Sequence, residues 1–451
     1  MKINKVSALL AAVALVGVAA CGSSKTSEPA AAKTTDAAAT SAAGAEPAPT
    51  DATGTEPAPT DASAPSGDAL IIATEFPLQG ASQAASESAA NAAALALKQA
   101  GGKAGKYTVE IKSYDNSTAA KGGWDDATCA KNAADHVANA AEIAVLGPYN
   151  SGCAKIIVPV LNQDPNGPML VISHANTNPG LTKKWDPGEP EKFYPTGVRN
   201  YGRLIATDDF QGAAGAQFAQ KELGVKKCVV LNDAQTYGVG VATAFAAEAK
   251  KLGIEVIAEE AWDAKQPNYT SLFEKVKADA PDCVYLGGIN DNNGEQLIRD
   301  KVAVLGANDG AVKLIAPDGF SGYPTVQELA DAQGMYITFA GLPTSELLKI
   351  AGPAADFVKA YQAEYNGDPA SFYAWYAAAA MQFLLKAIEA SDGTRAGVTK
   401  AAFSGIEVSA EESVIGKAFS IGPDGDVTIK DMSINILKDN VETYLKPWPL
   451  G

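Results

Sequence analysis

Short apolar runs alternate along most of the chain with longer stretches in which apolar residues recur every three or four positions. Bounded apolar runs are typical of buried strands, and the longer spacing is typical of helices. A first series of strands is predicted at 70–74, 107–114, 143–146 and 168–173. A second series is predicted at 228–231, 254–259, 283–286 and 313–316. This alternation predicts an α/β fold with parallel sheets, and its repetition predicts two copies of one architecture.

After the second series, the pattern changes to helices and a hairpin. Helices are predicted near 353–366 and 370–391. Residues 414–421 and 427–437 flank a Gly-Pro-Asp-Gly turn signal and are predicted to form a β-hairpin. The second helix carries four aromatic residues, which at helical spacing we interpret as core packing rather than a ligand cage: Phe372, Tyr373, Trp375 and Tyr376.

The first 67 residues differ from the rest. Two lysines precede an apolar run at 6–20, which is typical of a signal peptide and short for a membrane-spanning helix. The run ends in Val-Ala-Ala-Cys, which resembles a bacterial lipobox whose cysteine, Cys21, is lipidated. Residues 22–67 have almost no large apolar side chains, so they cannot bury enough surface to fold. We therefore predict a signal peptide at 1–20 and a disordered, lipid-anchored linker at 21–67. The alternative is an ordinary signal peptide with a chance cysteine.

The remaining body of about 385 residues is long enough for two domains. The 451-residue chain has a formal net charge of −16, which argues against nucleic acid as a partner. We expect a monomer on the outer face of the cell membrane.

Four cysteines remain in the body, and an even number in an exported protein suggests disulfides. Cys228 and Cys283 begin two strands that we expect to be neighbours, and Cys129 and Cys153 lie on successive helical units. We predict the pairs Cys129–Cys153 and Cys228–Cys283. The alternative is that all four are buried thiols. Their spacing does not resemble a zinc site, and we predict neither metal nor cofactor.

Polar loops follow five of the predicted strands. The first, Gly-Pro-Tyr-Asn-Ser, places Asn150 and Ser151 where a helix begins, and free N–H groups there favour a bound carboxylate. The alternative is that one of the two merely caps the helix. The other loops lie at 175–177, 232–237, 287–290 and 317–319. Together they supply N–H groups, hydroxyls, an aromatic ring and a carboxylate, a set that suits a zwitterionic amino acid.

At this point the chain resembles a known family, the substrate-binding proteins of ABC importers of the branched-chain amino acid type. The motifs that carry the resemblance, in order along 69–440, are Ile-Ser-His-Ala-Asn-Thr-Asn-Pro, Asn-Asp-Ala-Gln-Thr-Tyr-Gly, Val-Tyr-Leu-Gly-Gly, Ala-Pro-Asp-Gly and Phe-Ser-Ile-Gly-Pro-Asp-Gly-Asp. The resemblance implies the type I periplasmic binding protein fold: two Rossmann-like α/β lobes with parallel sheets, joined by a three-strand hinge. We place the N-terminal lobe at 68–200 plus 343–425 and the C-terminal lobe at 201–342 plus 426–451.

The resemblance also implies site residues. Ser151 and the amides around it, with Asn150 beside it, would hold a ligand carboxylate, helped by the loop of Ala175, Asn176 and Thr177. Asp318 stands where the family has an acidic residue for the ligand ammonium, and Tyr237 where an aromatic ring lines the cleft. Two departures from the family pattern leave the identity of the ligand undecided. Ile289 replaces a residue that is often aromatic in the family, and the loop at 77–88 lacks the usual aromatic residue.

The predicted function is reversible capture of a small amino-acid-like solute for a membrane permease. An enzyme is disfavoured because no nucleophile elbow, dinucleotide loop or P-loop occurs. A catalytic pair of Ser151 and His174 is conceivable, but no supporting motif accompanies it. Two further alternatives keep the same clamp: a ligand sensor, and an importer component for an amide, urea or an aromatic acid.

Overall fold

The computed structural model describes residues 69–449, so the predicted signal peptide, Cys21 and the linker lie outside the described residues. The first part of the chain contains eight strands and three helices. They are β1 (Leu70–Phe76), α1 (Gln83–Gln99), β2 (Lys103–Ala104), β3 (Tyr107–Asp115), β4 (Ser117–Thr118), β5 (Gly123–Trp124), α2 (Asp126–Ala138), β6 (Glu142–Leu146), α3 (Ser151–Asn162), β7 (Leu170–Ser173) and β8 (Tyr201–Arg203).

The first sheet has the strand order β2-β3-β1-β6-β7-β8. All pairs from β3 to β8 are parallel, and only β2 is antiparallel. Every residue of β6 and β7 is buried, because helices cover both faces of a parallel sheet. The predicted strands of the first series are confirmed.

The second part of the chain repeats this arrangement. Its elements are α4 (Asp208–Lys221), β9 (Lys227–Asn232), α5 (Thr236–Lys251), β10 (Glu255–Ala261), α6 (Thr270–Lys277), β11 (Cys283–Gly287), α7 (Gly294–Leu305), β12 (Lys313–Ala316), α8 (Pro324–Gln327) and β13 (Tyr336–Phe339). The parallel strands run in the order β10-β9-β11-β12-β13, which matches β3-β1-β6-β7-β8 of the first sheet. The prediction of two copies of one architecture is confirmed.

The tail contributes to both lobes. Its elements are α9 (Thr344–Leu347), α10 (Pro353–Tyr365), α11 (Tyr373–Glu389), α12 (Arg395–Ala402), β14 (Glu407–Val408), β15 (Phe419–Ser420), β16 (Ser433–Lys438) and β17 (Val441–Pro447). Helix α11 is buried almost all round and packs against α1 in the first lobe. Strand β16 pairs antiparallel with β13, and β17 with β16, so the chain ends in the second sheet. The chain therefore passes between the two sheets three times, which is the predicted hinge.

The predicted hairpin of 414–421 and 427–437 is wrong in its pairing. The turn itself forms, with the Gly422 N–H donating to the Asp426 carbonyl at 2.8 Å. Across it, Ile421 and Val427 form an isolated bridge, and the Thr428 N–H donates to the Ser420 carbonyl at 3.0 Å. The pairing extends no further, because β15 pairs with β14 and β16 pairs with β13 and β17. The two runs thus belong to different sheets.

The predicted lobe boundaries stay predictions, but two strands bear on them. Strand β8 pairs with β7 in the first sheet, although the predicted boundary falls just before it. Strand β16 lies in the second sheet, on the side of the boundary where it was expected. Within residues 69–449, no helix is both long and apolar enough to cross a membrane.

Both predicted cysteine pairs are bonded in the structure. The Cα atoms of Cys129 and Cys153 are 5.7 Å apart and link α2 to α3. Cys228 and Cys283 are register partners on the adjacent strands β9 and β11, with Cα atoms 4.4 Å apart. Both separations suit a disulfide. Formation of the two bonds in the exported protein stays a prediction.

Candidate functional site

A cavity of about 30 Å³ lies where loops from both lobes meet at the carboxyl ends of the strands. This is the place where doubly wound sheets bind ligands. Six residues that the sequence singled out line it: Asn150, Ser151, Ala175, Tyr237, Ile289 and Asp318. Four more complete the wall: Tyr149, Gly319, Tyr323 and Tyr373. The structure therefore brings six of the eight predicted ligand residues together.

The first side of the cavity is the start of α3. The preceding turn requires Gly147, whose φ is +128° and where a Cβ would lie 2.6 Å from the Glu75 carbonyl oxygen. This turn directs Asn150 and Ser151 to the beginning of the helix. The N–H groups of the first turn have no partner within the helix, and the helix dipole adds partial positive charge there. The Ser151 Oγ accepts a hydrogen bond from the Asn178 N–H at 3.3 Å. This side suits an anion.

The opposite side is the carboxylate of Asp318, which follows β12 and is 3% exposed. Its two oxygens accept hydrogen bonds from the hydroxyls of Tyr237 and Tyr373. The Gly319 N–H donates to the Tyr237 hydroxyl at 3.1 Å. Burial raises the pKa of Asp318, and the two tyrosine hydrogen bonds offset only part of this effect. No ion pair with a described side chain neutralises the charge.

A second carboxylate, Asp208, lies close to Asp318 at the start of α4 and is fully buried. Among the described residues, neither of its oxygens has a hydrogen-bond partner of normal geometry. Burial raises the pKa of Asp208 well above its usual value, and the nearby charge of Asp318 raises it further. The Thr177 side chain and the charge of Arg203 offset only part of this rise in pKa. With Asp318 in the wall and Asp208 close to it, this end of the site favours a cationic group.

Asn176 and Thr177 are not part of the cavity wall. The Asn176 side chain donates to the carbonyls of Pro148 and Tyr149 at 3.0 and 2.8 Å, so it ties its own loop to the loop before α3. Thr177 is 1% exposed, and its carbonyl accepts from the Asp208 N–H at 2.8 Å. In this conformation both residues support the site from behind, and their direct contact with a ligand stays a prediction.

The two lobes are in contact across the cleft. The Asp291 carboxylate accepts from the N–H of Ser82 at 3.1 Å and from its hydroxyl at 2.8 Å. The Tyr323 hydroxyl also donates to Asp291, at 2.7 Å. Because Ser82 precedes α1 in the first lobe and Asp291 follows β11 in the second, these bonds hold the cleft closed over the cavity.

The structure gives no support to a catalytic pair of Ser151 and His174. Neither ring nitrogen of His174 has a hydrogen-bond partner among the described residues. The ring packs edge-on against Phe76, Tyr149 and Tyr373. Burial lowers its pKa to about 3, so the ring is neutral. His174 is a packing residue.

The described residues offer only a weak candidate for a metal site. Within residues 69–449, one group has metal-like spacing, namely Glu75, Cys129 and Cys153. The two sulfur atoms of that group are bonded to each other, so they are poor ligands.

Three residues of the cavity wall were missed from the sequence: Tyr149, Tyr323 and Tyr373. Asp208, which lies close to Asp318 outside the wall, was missed as well. Tyr373 has helical spacing with Trp375 and Tyr376, and that pattern predicts core packing for all three. The prediction holds for Trp375 and Tyr376, but Tyr373 is at the first turn of α11 and reaches the cleft. The sequence contains one signal for Asp208. An acidic residue at a helix start ordinarily faces solvent, but Asp208 follows an apolar run, which favours burial.

Comparison with known proteins decides the family. The sequence profile described as "Periplasmic binding protein" matches residues 72–438 of the chain. The chain belongs to the periplasmic binding protein family. The predicted resemblance is thereby confirmed. As a member, it is an exported solute-binding protein of the ABC-transporter type and not an enzyme.

Similar proteins agree with this family. The Leu/Ile/Val-binding protein BraC3 of Rhizobium johnstonii is 28% identical over 292 residues, which are 64% of this chain and 71% of BraC3. Alignments with four further curated relatives span between 37% and 55% of those proteins.

Solved structures share the fold of this binding protein. The leucine-binding protein LivK of Thermotoga maritima superposes with a TM-score of 0.70 at 22% identity, covering 84% of this chain and 98% of LivK. A solute-binding protein of an ABC transporter from R. palustris, in complex with benzoate, superposes with a TM-score of 0.67 at 17% identity, covering 85% of this chain and 97% of that protein.

Proposed function

We propose that this protein is the lipid-anchored, extracytoplasmic receptor of an ABC importer and that it closes on a free amino acid. The observation that carries the proposal is the polarity of the cavity. One end has the N–H groups of a helix start, and the other has the buried carboxylate of Asp318, with Asp208 close to it outside the wall. A zwitterionic amino acid carries one charged group that suits each end.

The carboxylate of the ligand is assigned to the start of α3. Charge-assisted hydrogen bonds from N–H groups and a hydroxyl are stronger than neutral ones. Ser151 is 3% exposed, so its hydroxyl acts where water does not compete.

The ammonium is assigned to Asp318 and its neighbour Asp208. Two raised carboxyl pKa values mean that closure of the lobes disfavours both charges. A bound ammonium reverses this penalty, because it supplies the missing countercharge and hydrogen-bond donors. Binding of the amino acid and closure of the cleft thereby stabilise each other.

A second candidate ligand is a carboxylate without an ammonium, such as an aromatic acid. Two observations favour it: both Asp318 oxygens already accept hydrogen bonds from tyrosines, and four tyrosine rings line the cavity. The R. palustris protein named above was solved with benzoate. The buried Asp318 carboxylate in the wall makes this candidate the weaker one, because such a ligand brings no countercharge for it.

A thermal-shift panel of free amino acids and aromatic acids tests the proposal. A ligand at about a hundred times its dissociation constant adds roughly 2.7 kcal/mol of stability. Each kcal/mol moves the melting temperature by about 2–4 °C for a domain of this size. We therefore expect the true ligand to raise Tm by roughly 5–10 °C. A panel that responds only to compounds without an ammonium contradicts the amino acid assignment.

The anchor is tested separately. We expect Cys21→Ala, expressed in the native host, to release the protein from the membrane fraction or to leave its signal peptide uncleaved. Unchanged membrane association of this variant contradicts the lipoprotein assignment, and it leaves the binding proposal untouched.

A further inference from the structure

The side chain of Asn150 is placed unusually for a residue at a helix start. Asn at the N-cap ordinarily accepts a hydrogen bond from an N–H of the first turn. Here Asn150 is the N-cap of α3, yet its side chain makes no capping bond. It is 9% exposed, and its Oδ1 is buried without a hydrogen-bond partner among the described residues. Because Asn150 also lines the cavity, its carboxamide is available to a ligand.

The wall around this carboxamide is rich in hydroxyl groups. Four tyrosines contribute to it, and the Tyr323 hydroxyl is held by Asp291 at 2.7 Å and Ser82 at 3.2 Å. Ile289 and Ala175 are the aliphatic side chains in the wall. These side chains and the tyrosine rings can pack against an aliphatic group, so the unpartnered Asn150 carboxamide is the feature of the wall that distinguishes a polar ligand from an aliphatic one.

The space is also small. The cavity of the closed structure measures about 30 Å³. An engineered cavity that binds benzene measures about 150 Å³. Closing around a long aliphatic or aromatic side chain thus requires a larger rearrangement than closing around a short one.

We propose that the ligand is an amino acid with a short side chain that ends in a hydroxyl or carboxamide and hydrogen-bonds to Asn150. This inference rests on the proposed amino acid function and narrows its ligand class. A buried carboxamide left without a partner is costly, and sites built to hydrogen-bond a ligand discriminate strongly against analogues that lack the group. Asn150 is the residue that sets this preference.

Isosteric ligand pairs test the proposal by titration calorimetry on the full chain. Threonine and valine differ by a hydroxyl in place of a methyl group, and asparagine and leucine have similar shapes. We expect at least one polar member to bind wild-type protein about tenfold or more tightly than its aliphatic partner. In Asn150→Leu this ratio should fall below about threefold or invert.

Matched variants separate specificity from damage to the fold. Ser151→Ala acts at the ligand carboxylate, so it should weaken both members of a pair and leave their ratio unchanged. Asn150→Ser keeps a residue that can cap α3 and serves if Asn150→Leu does not fold, with the same expected fall in the ratio for the carboxamide pair.

Three results overturn the inference. If the aliphatic member binds wild type as tightly as the polar one, the polar preference is wrong while the amino acid function stands. If the ratio survives in both Asn150 variants, Asn150 is not its source. If none of the four amino acids binds while other amino acids do, the short polar class is wrong; if no amino acid binds at all, the proposed function fails with it.

Discussion

Two buried acidic clusters in this protein have opposite surroundings. In the first lobe, Glu75 and Glu142 flank His136, and all three side chains are fully buried. His136 Nδ1 is 2.7 Å from Glu142, its Nε2 is 3.2 Å from Glu75, and Lys112 pairs with Glu142 at 3.0 Å. In the cleft, Asp208 and Asp318 are as deeply buried, but neither has a cationic partner in contact.

The charge states differ accordingly. Although burial opposes ionisation, hydrogen bonds from His136, Tyr114 and Lys112 lower the pKa of Glu142 to about 2. Burial raises the pKa values of Asp208 and Asp318, and nothing in the cleft reverses it. In the first cluster, the carboxylates have their hydrogen-bond donors and countercharges within the lobe, so the cluster stabilises the folded lobe. The second cluster lacks a countercharge in contact, and this difference supports the proposal that a ligand ammonium binds there.

The largest expected effect is loss of stability when the complete cluster is broken. Glu142→Gln removes the charge that pairs with His136 and Lys112 in the interior. Breaking a buried ion pair costs about 3–5 kcal/mol, so Tm should fall by about 6 °C or more. Thermal unfolding without ligand measures this. A Tm within about 2 °C of wild type contradicts the structural role of the cluster.

The second-largest expected effect is on ligand affinity, and it tests the difference between the two acidic clusters. Asp318→Asn keeps the shape of the side chain but removes the charge opposite the ligand ammonium. Charged hydrogen bonds contribute about 1.5–3 kcal/mol, so the affinity for the amino acid ligand should fall at least about tenfold. Calorimetry measures the change. Unchanged affinity for a confirmed amino acid ligand shows that the ammonium site is elsewhere.

Asp208→Asn should separate stability from binding. The substitution removes a buried, uncompensated charge, so the ligand-free protein should melt at the same or a higher temperature than wild type. Ligand affinity should fall by a few-fold or more, since the ammonium loses one of two nearby negative charges. A lower Tm without ligand, of the size expected for Glu142→Gln, contradicts the comparison.

The pH dependence of binding follows from the raised pKa values in the cleft. Lowering the pH protonates Asp318 and Asp208 first, so ligand affinity should weaken as the pH falls through their raised pKa values. For the ligand-free protein, the same raised pKa values add stability at low pH that is lost as the pH rises through them. Thermal shifts with and without ligand at several pH values measure both trends. Asp318→Asn should flatten them, and an unaltered pH profile in that variant counts against the assignment.

The smallest expected effect is a pH trend in the first lobe. Burial opposes a charge on His136, but the hydrogen bonds to Glu142 and Glu75 outweigh it and raise its pKa. Its contribution is therefore full below the unfolded pKa of about 6.5 and is lost as the pH rises through the raised value. The Tm difference between wild type and His136→Gln should shrink as the pH increases. A constant difference would mean that His136 acts only through packing.

The sequence by itself determined the fold and much of the site. Buried strands separated by helical periodicity are local signals, and their repetition predicted both sheets within a few residues. Polar loops at the carboxyl ends of parallel strands must meet at one edge of their sheet, so Ser151 could be expected near Ala175 in the first lobe and Tyr237 near Asp318 in the second. That the two edges face each other was implied by the resemblance to the family. The pairing of Cys228 with Cys283 likewise followed from strands expected to be neighbours.

Only the tertiary structure decided which polar groups are compensated. Asp208 and Glu142 are both acidic residues within or beside apolar runs, and no local pattern distinguishes them. His136 is only six residues from Glu142, but Glu75 and Lys112 reach that cluster from other strands, and Tyr373 reaches Asp318 from a helix whose spacing predicts a core residue. The sequence also does not show whether the Asn150 side chain caps α3 or is left without a hydrogen-bond partner. Charge compensation depends on distances between remote groups in a low-dielectric interior, and those distances exist only after the lobes have packed and closed.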